Sequence, residues 1–144
     1  MAEELNVGLL MFIAHRAMEN RVFAAVANAG YGDVTIAQAR LMARISSTGS
    51  RLTTLAESAQ VTKQTAGFLV DQLERAGYVE RVPDPADGRA RLVLLTDKAK
   101  EVLPLANGEA AAVEAEWEKH IGKRRMAQLR ETLTMLREIT DPYL

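Results

Sequence analysis

There is no cysteine in this 144-residue chain. Disulfides, thiolate metal sites and cysteine redox sensing are therefore excluded, and the composition fits a reducing compartment. Aromatic residues are scarce, at 5%, although 48% of the residues are hydrophobic. A core of that kind has to be built from Leu, Ala, Val and Met, which favours a helix-rich globular protein. No uncharged apolar run approaches the roughly 18 residues that a membrane span needs, so no membrane partner is expected. The start, Met1-Ala2-Glu3-Glu4, is acidic and lacks the basic opening of a secretory signal, so the expected location is the cytoplasm. A net charge of -1 supplies no general attraction to nucleic acid; any such role must rest on where the charges are placed.

Catalytic patterns are missing too. The chain has no Gly-x-Ser-x-Gly, no glycine-rich phosphate loop with Lys-Ser/Thr and no His-Glu-x-x-His. Gly30-Tyr31-Gly32 reads as a turn. His15 and His120 are the two histidines, and His15 with Glu19 one helical turn later falls short of a metal site. No enzyme activity, no cofactor and no bound metal is expected.

What is present is helical periodicity around a short β-rich middle. Leu5, Leu9, Phe12, Ile13, Phe23 and Val26 place a helix over residues 4–28, ended by Ala29-Gly30-Tyr31-Gly32. Thr35 with Gln38 forms a capping-box pattern, and Ile36, Leu41 and Ile45 follow as a buried stripe. Ser46-Ser47-Thr48-Gly49-Ser50 is a polar break. Leu52 to Ala59 is a short helix, Gln60-Val61 a tight connection, and Thr62 caps a helix running to about Ala76, with Leu69, Val70 and Leu73 inward and Gly77 as its C-cap. Two helices joined so closely form a helix-turn-helix. Tyr78 to Val82 alternates like a strand, Pro83 to Gly88 reads as a loop, and Arg91 to Leu95 returns as the partner strand. Thr96 caps a long helix, which Pro104 should kink or interrupt and Asn107-Gly108 weaken. Gly122 separates it from a last amphipathic helix carrying Met126, Leu129, Leu133, Leu136 and Ile139. Trp117 and the six methionines read as core or interface filling, and Lys123-Arg124-Arg125 as a solvated face or a contact to DNA flanks.

A helix followed by a basic-tipped hairpin can put one element in the major groove of DNA and an arginine in the minor groove. Lys63, Gln64 and Thr65 lie in the first turn of the helix, where free N–H groups and the helix dipole favour phosphate. Gln64 can pair with adenine and Thr65 can touch phosphate or a thymine methyl. Phe68, one turn on, either contacts thymine methyls or packs inward. Arg89 suits the minor groove, where a narrow A·T tract concentrates negative potential. Asp87 is read as structuring the wing through an arginine or backbone amides. Arg91 is either a phosphate contact or the partner of Asp87.

The stretch from Gln64 to Arg81, followed by Asp84 to Thr96, resembles the MarR family of bacterial transcription regulators. Its most specific part is the helix-Gly-strand-Asp-x-Arg-strand-Leu-Thr block. The resemblance follows the helix order from Glu4 to Leu144. Gly67 and Phe68 depart from the family pattern, which often has a polar or basic residue at the second of these positions. The resemblance implies a mainly α fold with a small β-hairpin wing: a winged helix-turn-helix module over residues 33–99 and a helical dimerisation region over residues 1–32 and 100–144. It implies a homodimer that binds double-stranded DNA at a pseudo-palindromic operator, acting as a repressor released by a small, often aromatic, effector. Met11 and His15 would then line the effector cleft; without it, His15 is a helix-packing histidine.

From Arg51 to Arg91 the module has six basic residues and six acidic ones, so it is no basic patch and one copy alone would bind DNA weakly. The terminal helices carry apolar stripes that neither end can bury alone. They pack together, within one chain or across a two-fold axis with a second. The alternative from another class is a winged-helix protein–protein interaction module without a DNA target.

Overall fold

Thr35 shows how local chemistry sets this fold. In the computed structural model, which describes residues 3–142, its hydroxyl accepts from Gln38 N at 3.2 Å and its own N–H donates to Gln38 Oε1 at 3.0 Å. The reciprocal cap starts helix α2, Ile36–Met42. The other helices are α1 (Val7–Val26), α3 (Leu52–Ser58), α4 (Lys63–Arg75), α5 (Asp97–Ile121) and α6 (Lys123–Thr140), and a hairpin of β1 (Val79–Asp84) and β2 (Asp87–Leu95) lies between α4 and α5. The chain forms two compact units, one made of residues up to Ala24 and from Ala106 on, the other of Ala25–Leu105. Met1, Ala2, Tyr143 and Leu144, which the sequence places at the ends of the dimerisation region, lie outside the described residues.

The Ala25–Leu105 unit holds the main core. Val34, Leu41, Ile45, Leu55, Ala66, Leu69, Val70, Leu73, Tyr78, Val79, Val93 and Ala99 are buried together. The polar side chain of Gln38 is buried among them because its amide also donates to Gln72 Oε1 at 3.0 Å, tying α2 to α4. Helix α4 ends as its sequence requires: Gly77 has φ 86°, Tyr78 N donates to Leu73 O at 2.9 Å, and Gly77 N to Glu74 O at 3.1 Å. Tyr78 is then fixed from three sides. Its hydroxyl donates to Asp33 Oδ1 at 2.6 Å, the Lys98 ammonium sits 4.3 Å from its ring centre, and its carbonyl accepts from Thr96 N at 3.0 Å. Burial first, and then Asp33, push the Tyr78 hydroxyl well above the usual tyrosine range.

In the other unit, Arg21 on α1 bridges Glu109 at 2.9 Å and Glu116 at 2.6 Å on α5, and Arg130 on α6 bridges Glu114 at 2.8 Å. Val113 and Met126 are its buried hydrophobic residues among those described. Gly122, at φ 94°, separates α5 from α6 as expected.

Two expectations need correction and a third is narrowed. Residues 83–88 are not an open loop: β1 runs through Pro83 and Asp84, β2 starts at Asp87 rather than Arg91, and Pro85-Ala86 alone makes the turn. Pro83 is tolerated because it sits at the end of the regular register, opposite Arg91, where the pairing shifts before Asp84 meets Asp87. Helix α5 runs through Pro104 and Asn107-Gly108 without the interruption that was one of the two outcomes expected at Pro104. Helix α1 starts at Val7 and not Glu4, because Asn6 Oδ1 accepts from Leu9 N at 2.8 Å and caps it.

Candidate nucleic-acid interface

The turn between α3 and α4 is a helix C-cap built without glycine. Val61 N donates to Ala56 O at 3.0 Å and Gln60 N to Glu57 O at 3.2 Å, which puts Gln60 in the left-handed region at φ 59°. Thr62 then caps α4, accepting from Thr65 N at 3.1 Å, and its hydroxyl pairs with that of Thr65 at 2.9 Å. Ala66, Leu69, Val70 and Leu73 bury the inner face of α4. That anchoring leaves Lys63, Gln64 and Thr65 exposed on its first turn. Phe68 is 59% exposed, so within this chain it does not pack inward. Gly67 is half-buried, and a β-carbon there would sit 3.7 Å from Leu52 Cδ2, an ordinary contact.

The hairpin is held by an aspartate that sequence reasoning passed over. Asp84 is buried; its Oδ1 accepts from Ala86 N at 2.9 Å and its Oδ2 from Arg51 Nε at 3.0 Å and Nη2 at 2.8 Å. The Ala86 amide first, and the Arg51 guanidinium second, hold the Asp84 carboxyl below the usual range. The Asp-Pro-Ala turn was legible, since aspartate commonly accepts from the amide two residues on. Arg51 was not, because 33 residues separate it from Asp84. Ser50 adds a further strand-like rung, exchanging backbone bonds of 3.0 and 2.8 Å with Val93. Gly49 beside it has φ 96°, and a β-carbon would meet Leu94 Cδ2 at 2.9 Å, so both conformation and space call for glycine.

Asp87 accepts from Arg89 N at 3.1 Å, and that amide, not Arg91, is its partner. Arg89 and Arg91 are exposed on β2. Internal ion pairs redistribute the even charge balance of the module. Arg81 neutralises Asp71 at 2.7 Å and Glu74 at 3.0 Å, and Arg51 neutralises Asp84. No ion pair engages Lys63, Arg89 or Arg91 among the described residues.

Met11 and His15 lie four residues apart on α1, both exposed, and His15 Nε2 is 3.4 Å from Glu19. A groove of about 530 Å³ runs between α5 and α6, lined by Glu114, Glu118, Lys123, Met126, Arg130 and Glu131 among others, and does not include Met11 or His15. Among the described residues no three His, Asp or Glu side chains are grouped to hold a metal ion, and no helix is long and apolar enough to cross a membrane.

A helix-turn-helix whose second helix runs directly into a two-stranded hairpin defines the winged helix-turn-helix proteins. Residues 32–90 match the family model described as the MarR family, so this winged helix-turn-helix part of the chain is similar to that family's. Over 64 residues the chain is 34% identical to the HTH-type transcriptional regulator BilQ of Clostridioides difficile, an alignment covering 44% of this chain and 40% of that protein. The chain thus matches under half the length of this curated relative. The likeness of fold extends further. The reduced form of MarR from E. coli superposes with a TM-score of 0.76 at 22% identity, over 94% of this chain and 98% of that one. CouR from Rhodococcus jostii RHA1, bound to p-coumaroyl-CoA, does so at 0.70 and 21%, over 96% and 95%. The expected fold, mainly helical with a small hairpin wing, is the one observed.

Proposed function

We propose that this chain is a homodimeric DNA-binding transcription regulator and not an enzyme. The observation that carries the reading is the first turn of α4. Lys63, Gln64 and Thr65 stand exposed there, on a helix whose inner face is anchored in the core, within a module similar to that of the MarR family. In this reading Lys63 meets phosphate, Gln64 pairs with adenine, and Thr65 touches phosphate or a base edge. Arg89 enters the minor groove and Arg91 contacts the backbone. Asp87 shapes the wing tip through the Arg89 amide.

Dimerisation is supported by the apolar surface of the terminal helices. Leu10, Phe12 and Ile13 on α1 and Met135 and Ile139 on α6 are exposed, and the two buried hydrophobic side chains among that unit's described residues are too few to hold three long helices. Two modules related by symmetry would read a pseudo-palindromic operator with half-sites about one helical turn apart. Repression relieved by a small ligand is the regulatory mode we assign, by likeness to a relative solved with an acyl-CoA; Met11 and His15 are its proposed contacts.

The test is a binding titration against the chain's own promoter region over a range of salt. Arg89→Ala should weaken binding, and Lys63→Ala should weaken it evenly across sequences and reduce the salt slope by about one counterion. Unchanged affinity on Arg89→Ala would remove the wing from the interface. Absence of binding at every salt concentration would favour a winged-helix module that binds protein instead.

A further inference from the structure

From Ala25 to Val102, Phe68 is the one large apolar side chain left exposed among the described residues. Nothing in the core requires it, since Ala66, Leu69, Val70 and Leu73 already fill the inner face of α4. Phe68 instead shares an exposed stripe with Gln64 one turn before it, and with Asp71 and Arg75 beyond. Arg81 meets the Asp71 carboxylate at 2.7 Å, so the stripe presents a compensated charge beside the phenyl ring rather than a bare anion. Gly67 adds no side chain next to it.

A phenyl group has no donor or acceptor with which to read a base edge. In the major groove the apolar group available to it is the C5-methyl of thymine, or the same methyl on 5-methylcytosine. Resting on the DNA-binding reading above, we propose that Phe68 is a specificity-determining residue that selects C5-methylated pyrimidines in the major groove. Gln64 and Phe68 together would then read an adenine and a methyl-bearing pyrimidine one helical turn apart on the same face of α4. An arginine at this position would select guanine instead, so the substitution changes which base is read and not merely how tightly.

The experiment compares alternating duplexes that differ in this methyl alone: poly(dA-dT) against poly(dA-dU), and poly(dG-dC) against its 5-methylcytosine form. The full chain should bind the methylated member of each pair more tightly, on the order of fourfold per methyl covered. Phe68→Ala and Phe68→Gln should erase the difference, while Arg89→Ala should lower affinity and keep it. Phe68 is exposed, so neither variant should alter the thermal melt. Equal affinity of the wild-type chain within both pairs overturns the methyl reading and leaves DNA binding standing. A preference that survives in both Phe68 variants overturns it as well. Failure to bind any of the four duplexes overturns the DNA-binding reading and this one together.

Discussion

Asp84 and Gln60 carry opposite lessons about single residues. The Asp84 carboxyl is held below its usual range by the Ala86 amide and then by Arg51, so its charged form is favoured by folding. A depressed folded-state pKa adds stability above the ordinary carboxyl range, and that stability is lost as pH falls through the folded value. Asp84→Asn should therefore melt lower than wild type at neutral pH, and the gap between the two should close as the solution is acidified. Thermal melts of both proteins across the acidic range measure this. Gln60 works against the fold. It adopts φ 59°, a conformation that disfavours any residue with a β-carbon. Gln60→Gly should raise stability by up to about 1 kcal/mol in denaturant unfolding, with the greater freedom of glycine in the unfolded chain limiting the gain. Both residues were visible in the sequence as turn formers. That Asp84 is the buried wing anchor depends on an arginine brought to it from another element.

At the scale of elements, the helix-turn-helix depends on caps and on one packed face. Removing the reciprocal cap of α2 with Thr35→Ala should cost about 1 kcal/mol. Leu73→Ala, at a fully buried position on α4, should cost roughly 2–5 kcal/mol, because a cavity is left as well as lost burial. Equilibrium unfolding separates the two. These elements were legible because their signals are local: Thr35 with Gln38, Thr62 with Thr65, and Gly77 after an apolar stripe. The hairpin was legible as a hairpin but not in its extent. Prolines 83 and 85 signal a loop, whereas strand pairing persists past Pro83 because β1 can lose one N–H donor where the register already shifts. For a related reason Pro104 does not interrupt α5. A helix of 25 residues has enough remaining bonds to run through one missing donor.

For the whole molecule the decisive feature is the contrast between the two units. One has a continuous core, the other mostly exposed apolar side chains on α1 and α6. If those faces pair between two copies, Phe12→Glu, at a position 56% exposed, should convert the protein to monomer in sedimentation and lower its melting temperature. A charge on a surface that stays in water would do neither. The same contrast bears on DNA binding, since a near-neutral module gains most from being presented twice.

The sequence by itself determined the order of the helices, the caps of α2 and α4, the glycine ends and the identity of the helix-turn-helix, because each depends on residues within a turn or two of one another. The tertiary structure alone decided the rest: that Phe68 faces solvent, that Arg51 and Arg81 are taken up by Asp84, Asp71 and Glu74, and that Lys63, Arg89 and Arg91 stand apart from such pairs among the described residues. Burial and charge pairing depend on which distant segments meet, and no local pattern in the chain records that.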